Sequence, residues 1–184
     1  MSKLLSNTRS ATVGVAMDAL QTVEGSATTT EAQVLTVVGR GGNIPDGRGS
    51  FQDEIIITDD FRITDITVTL LGLVHTWVGD LSARLRHLES ETVVDLFMRP
   101  GQPHFSSSGY SNDLDGDYSF NTHNTTDFEA AAGQNTVVPS GSYASQGSLS
   151  VFCGLSAAGT WRLTVNDCSP GDSGLLGSWR LDLK

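Results

Sequence analysis

The sequence predicts an all-β chain, an antiparallel β-sandwich of jelly-roll type with about eight strands. Two observations point there first. Strict alternation of apolar and polar residues recurs, as in Ile63-Thr64-Asp65-Ile66-Thr67-Val68-Thr69-Leu70 and Trp161-Arg162-Leu163-Thr164-Val165, the period of a half-buried strand. The composition, 38% apolar with 20 glycines, is that of a turn-rich chain and not of a helical bundle.

Along the chain, residues 1–33 are rich in Ser, Thr, Ala and Gln with weak periodicity, and are expected to form an arm that orders against a partner. Val34–Val38 has strand character. The run Gly39-Arg40-Gly41-Gly42-Asn43 reads as a flexible joint, which sets the expected division at 1–42 for the arm and 43–184 for the sandwich. Strands are then expected at Glu54–Thr58, Ile63–Leu70, Ala83–Leu88, Thr92–Phe97, Ser148–Phe152, Thr160–Val165 and Ser178–Leu183. The best short helical candidate is Asp127–Ala132. Long loops and the absence of helical crossovers argue against a parallel sheet.

A formal charge of −10 repels a phosphate backbone, so no nucleic-acid partner is expected. No apolar run reaches the ~20 residues of a membrane helix. Residues 1–20 carry no apolar run of signal-peptide length, so an extracellular or exported setting implies another route. If Ser148–Phe152 and Thr160–Asn166 are neighbouring strands, Cys153 and Cys168 lie at opposite ends of the second, roughly 20 Å apart at ~3.3 Å per residue, and read as free thiols.

No basic residue occurs between Pro100 and Trp161, yet Asp113, Asp115, Asp117, Asp127 and Glu129 fall there. In Asn112-Asp113-Leu114-Asp115-Gly116-Asp117, oxygen ligands stand at alternate positions beside a glycine, and a turn would aim several carboxylates at a hard cation. Ca2+ suits such a set because it accepts six to eight oxygens in loose geometry. The spacing is not that of an EF-hand, and a solvated acidic loop is the competing reading. Gly171-Asp172-Ser173-Gly174 is similar to a serine-nucleophile loop, but none of His75, His87, His104 or His123 has the setting of a general base. The histidines and cysteines show no zinc spacing.

Two blocks carry a family resemblance. The first is Ile63–Leu70 followed by His75-Thr76-Trp77-Val78-Gly79-Asp80-Leu81. The second is Gly159-Thr160-Trp161-Arg162-Leu163-Thr164-Val165-Asn166-Asp167, then Asp172-Ser173-Gly174-Leu175-Leu176-Gly177-Ser178-Trp179-Arg180-Leu181. In this order they resemble the P domain, also called the proprotein convertase or Homo B domain, in its bacterial form, over roughly residues 43–183. The resemblance implies an eight-stranded, galactose-binding-like jelly roll that accompanies a subtilisin-like serine protease and is not itself a catalyst. It also implies calcium on loops at the sandwich ends, which makes Asp80, Asp167 and Asp172 candidate ligands beside Asp113, Asp115 and Asp117. Asx turn capping is the alternative for Asp80 and Asp167. Trp77 and Trp161 read as core.

The leading expectation is a calcium-binding module that docks on or stabilises another protein. Two alternatives stand beside it. One is a carbohydrate-binding jelly roll with Tyr110, Tyr118 and Tyr143 on one patch; the other is a structural subunit whose arm meets a neighbour or a second copy of the chain.

Overall fold

The computed structural model describes residues 34–47 and 49–184. Residues 1–33, the greater part of the expected arm, lie outside the described residues. The strands are β1 (Leu35–Ile44), β2 (Phe51–Ile57), β3 (Ile66–His75), β4 (Leu81–His87), β5 (Thr92–Met98), β6 (Asp113–Asn121), β7 (Val137–Val138), β8 (Gly141–Ala144), β9 (Gly159–Asp167) and β10 (Gly174–Leu183), with one helix, α1 (Phe128–Gln134). They form two sheets, one ordered β1-β10-β3-β6-β7 with β8 also on β6, the other β2-β9-β4-β5. Pairing is antiparallel except at β7 and β8, which run parallel to β6.

Alternation puts one row of each strand into the core. From β9 come Trp161, Leu163 and Val165, from β3 Ile66, Val68 and Leu70, and from β10 Trp179, Leu181 and Leu183, all buried. The two buried tryptophans satisfy their indole N–H groups, Trp161 on the Ala157 carbonyl at 3.0 Å and Trp179 on Asp53 Oδ2 at 2.8 Å, so burial leaves neither donor orphaned.

Three expectations change. The glycine run at 39–43 is no joint. It continues β1, whose pairing with β10 runs from Leu35↔Leu183 to Ile44↔Gly174, so the expected division at 42/43 falls inside a strand. The glycines are there for close approach: a Cβ on Gly41 would stand 1.9 Å from the Gly177 carbonyl oxygen, and one on Gly39 would stand 2.0 Å from the Trp179 indole nitrogen. Leu149–Phe152 is a short 3-10 turn and not a strand. Leu149 and Phe152 are both buried, three residues apart, which is the 3-10 repeat. Asp113–Asp117 is the start of β6 and not a turn. Its alternating oxygens are the outward row of a strand whose Leu114, Tyr118 and Phe120 face the core.

The helical candidate is present at Phe128–Gln134, with Asp127 as N-cap accepting the Glu129 N–H at 2.9 Å. Cys153 and Cys168 are both free and exposed.

Candidate functional site

β3 ends at His75 and β10 begins at Gly174, and antiparallel pairing sets these two residues opposite each other. In the second sheet Leu81 opens β4 opposite Asp167, the last residue of β9. Sheet register therefore gathers the segments 75–81 and 167–174 at one end of the sandwich. The loop after β5, residues 99–110, packs onto them.

The centre of this end is a buried histidine–aspartate contact. His75 Nε2 lies 3.2 Å from Asp167 Oδ2, and both side chains are fully buried. The Trp77 backbone flanks His75 Nδ1, with its carbonyl oxygen at 3.0 Å and its nitrogen at 3.1 Å, while Nε2 faces the carboxylate. The other carboxylate oxygen accepts the Ser169 N–H at 3.1 Å. Asp167 is thus both a histidine partner and an Asx turn.

Arg99 ties the loops together. Its Nε donates to the Gly79 carbonyl at 3.2 Å and its Nη2 to Ser169 Oγ at 2.8 Å, and Nη2 stands 3.5 Å from Asp80 Oδ1. Asp80 is buried in the short 3-10 turn Val78–Asp80, and its carbonyl accepts the Cys168 N–H at 2.8 Å. The backbone follows: Gly79 N–H donates to the Tyr110 carbonyl at 2.9 Å and Val78 N–H to Asn112 at 2.8 Å. Trp77 caps the loop through its indole N–H on the Ser108 carbonyl at 2.8 Å. Gly79 admits no side chain, because a Cβ would lie 2.6 Å from the Ser108 carbonyl oxygen.

The six candidate calcium ligands do not meet. Asp80 faces Arg99 and Asp167 faces His75. Asp172 accepts the Thr76 hydroxyl at 2.7 Å. Asp117 accepts the Gly72 N–H at 2.7 Å, a donor freed by the irregularity in the β3–β6 ladder between Leu70 and Leu73. Asp113 and Asp115 lie on the outer row of β6. Among the described residues no three His, Cys, Asp or Glu side chains are placed to share a metal ion. Four of the six carboxylates accept hydrogen bonds from, or pair with, protein donors.

Ser173 is exposed, and both nitrogens of the neighbouring His75 are engaged, so that histidine has no free nitrogen to take a serine proton. The aromatic patch is absent as well. Tyr118 and Tyr143 are buried, with 0% and 4% exposure, and their hydroxyls donate to the Val138 and Pro139 carbonyls. Tyrosines held this way cannot stack on a sugar, which removes the support for the carbohydrate reading.

The profile of one family, the proprotein convertase P-domain, matches residues 63–183, a span that contains both of the loops that meet here. The chain belongs to the proprotein convertase P-domain family. P domains are non-catalytic accessory domains found alongside serine proteases. Two solved structures are similar in fold. One is the serine protease of Aeromonas sobria in complex with its chaperone, at 18% identity and TM-score 0.47. The other is the serine protease of Aeromonas sobria, at 17% identity and TM-score 0.46. In both cases the match covers 83% of this chain and 27% of the other, so this P domain spans about a quarter of each of those chains. No curated protein matches it.

The two sequence blocks of the P domain are therefore the two halves of one loop-end knot. Sequence reasoning placed Asp80, Asp167 and Asp172 in this region. It missed Arg99, which stands one residue before the arginine- and lysine-free stretch, and it missed His75 as the partner of Asp167. The available signal for His75 was its place at the opening of the first block's loop, whereas Arg99 lies outside both blocks.

Proposed function

We propose that this P domain is a non-catalytic module that docks on a partner protein and stabilises it, as an accessory of a subtilisin-like serine protease system. The observation that carries this reading is the loop end just described. Its His75–Asp167 and Arg99–Asp80 pairs are consumed in holding segments 75–81, 99–110 and 167–174 together, so the polar groups gathered there serve rigidity. A rigid sandwich end whose loops are pre-ordered loses little conformational entropy when it docks. The family and its accompaniment of serine proteases support the same reading.

The test uses a subtilisin-like catalytic domain encoded in the same genome. Its thermal inactivation is followed with and without the full chain. A partner that binds only the native enzyme raises its stability by about 2.7 kcal/mol at a hundredfold excess over Kd, so inactivation slows as the chain is titrated. An inactivation rate independent of the chain at saturating concentration refutes the proposal. Hydrolysis of a general peptide substrate by the chain alone, lost in Ser173→Ala, would refute its non-catalytic part.

A further inference from the structure

The smaller sheet turns an unusual row outward. Arg84 and Arg86 on β4, Arg162, Thr164 and Asn166 on β9 and Gln52 on β2 line one hollow of about 270 Å³. The register places Arg86 directly opposite Arg162 and Arg84 opposite Thr164. Like charges directly across a ladder are destabilising. This is also a chain of net charge −10 with 11 basic residues, and here three of them share one face.

Intramolecular pairing accounts for two of the three. Arg162 Nη2 lies 2.6 Å from Glu54 Oε1, and Arg84 Nη2 lies 3.0 Å from Asp95 Oδ1. Among the described residues Arg86 has no carboxylate partner. The Nε atoms of Arg84 and Arg86 are shut off from water and have no acceptor, a state that costs the desolvation of each donor. An oxyanion entering the hollow would relieve the repulsion between the guanidinium groups.

We propose that this hollow binds an acidic, extended segment of a partner protein, with the carboxylates of alternate Asp or Glu residues on Arg84, Arg86 and Arg162. Spacing selects a peptide over a small anion. Arg84 and Arg86 are two residues apart on one strand, about 6.8 Å, the distance between alternate side chains of any extended chain. The guanidinium fork suits carboxylate geometry, and the amides and hydroxyl of Gln52, Asn166 and Thr164 can bond to a peptide main chain. The inference rests on the docking function and names the surface and the chemistry of its partner.

The probe is a synthetic peptide of alternating Glu and Thr, titrated into the full chain by calorimetry at low salt. Binding is expected to weaken about tenfold or more in Arg86→Gln, since a hydrogen bond to a charged group contributes about 1.5–3 kcal/mol. Arg162→Gln provides an independent second variant with the same expected loss. Near 1 M salt, where the Debye length falls to about 3 Å, binding should vanish. The melting temperature of Arg86→Gln should match or exceed the parent, because Arg86 has no carboxylate partner and its loss removes one half of a repulsive pair, whereas Arg162→Gln also gives up the Glu54 pair. No binding to the parent chain, equal binding by the Gln variants, or equal binding by a peptide with Gln in place of Glu would each overturn the assignment. Inorganic sulfate binding as tightly as the peptide would also overturn it. Should Arg86→Gln lose the peptide yet still protect the protease domain, this surface is refuted as the docking face while the docking function stands.

Discussion

Replacing Arg99 by alanine separates a loop end held by protein contacts from one held by a metal ion. Arg99 makes two directed hydrogen bonds, at 3.2 and 2.8 Å, and faces Asp80 at 3.5 Å. Hydrogen bonds to or from a charged group contribute about 1.5–3 kcal/mol each before exposure is discounted. The arginine side chain is 27% exposed while that of Asp80 is 6% exposed, so solvent screens the arginine partly and the abandoned carboxylate hardly at all. The expected loss is about 2–4 kcal/mol. For a domain of this size each kcal/mol shifts Tm by about 2–4 °C, so the melting temperature should fall by about 4–16 °C. Arg99 also holds a positive φ of 44°, which costs an L-residue about 1–2 kcal/mol. Arg99→Gly should therefore be less damaging than Arg99→Ala, by about that amount. The assay is urea unfolding of both variants, followed by tryptophan fluorescence, and a cycle with Asp80→Ala isolates the pair. A loss under about 0.5 kcal/mol in Arg99→Ala, or a coupling to Asp80 indistinguishable from zero, would refute the account of this end of the sandwich.

Chelation should do little. With the candidate carboxylates tied to protein donors, EGTA at neutral pH is expected to leave Tm unchanged, and a drop of several degrees by calorimetry would show that calcium holds the fold after all. Asp117→Ala should cost about 0.5–1.5 kcal/mol, the net worth of one hydrogen bond that water can partly replace at this exposed site, and amide exchange at Gly72 should accelerate. At alkaline pH, burial pushes the Tyr118 hydroxyl up to about 12, from an ordinary value of 10.0. The folded state keeps a proton that the unfolded state releases, so stability falls as pH rises from about 10 toward 12, by a few kcal/mol at most. Tyr118→Phe should flatten that part of the profile. At acid pH the sign reverses. Partial burial pushes the Asp65 carboxyl up, but bonds from Thr122, Lys184 and the Ile66 N–H and the charge of His123 outweigh it and hold it below 3.8. Its contribution is present above the ordinary carboxylate value and is lost as pH falls through the lowered one, so Asp65→Asn should reduce the acid sensitivity of unfolding.

Much of the sandwich was legible because half-buried strands must alternate, as β9 does almost throughout and β3, β4, β5 and β10 do over part of their length. The same rule misled at Asp113–Asp117. Oxygens at every second position are what an outward strand row looks like and also what a coordinating loop looks like, and only the burial of Leu114, Tyr118 and Phe120 distinguishes the two. The glycines at 39–42 failed for a related reason. Glycine marks either freedom or crowding, and the crowding here comes from Trp179 and Gly177, distant in sequence.

Local patterning thus determined the fold class and most strand positions, since the period of a strand is a property of consecutive residues, and the two paired blocks carried the family. Which charge meets which was settled by register. β10 against β3 and β4 against β9 bring His75 to Asp167 and set Arg86 across from Arg162, and β4 against β5 brings Arg99 to Asp80. Side-chain electrostatics acts over a few ångströms in space, and the chain order of these residues holds no record of that distance.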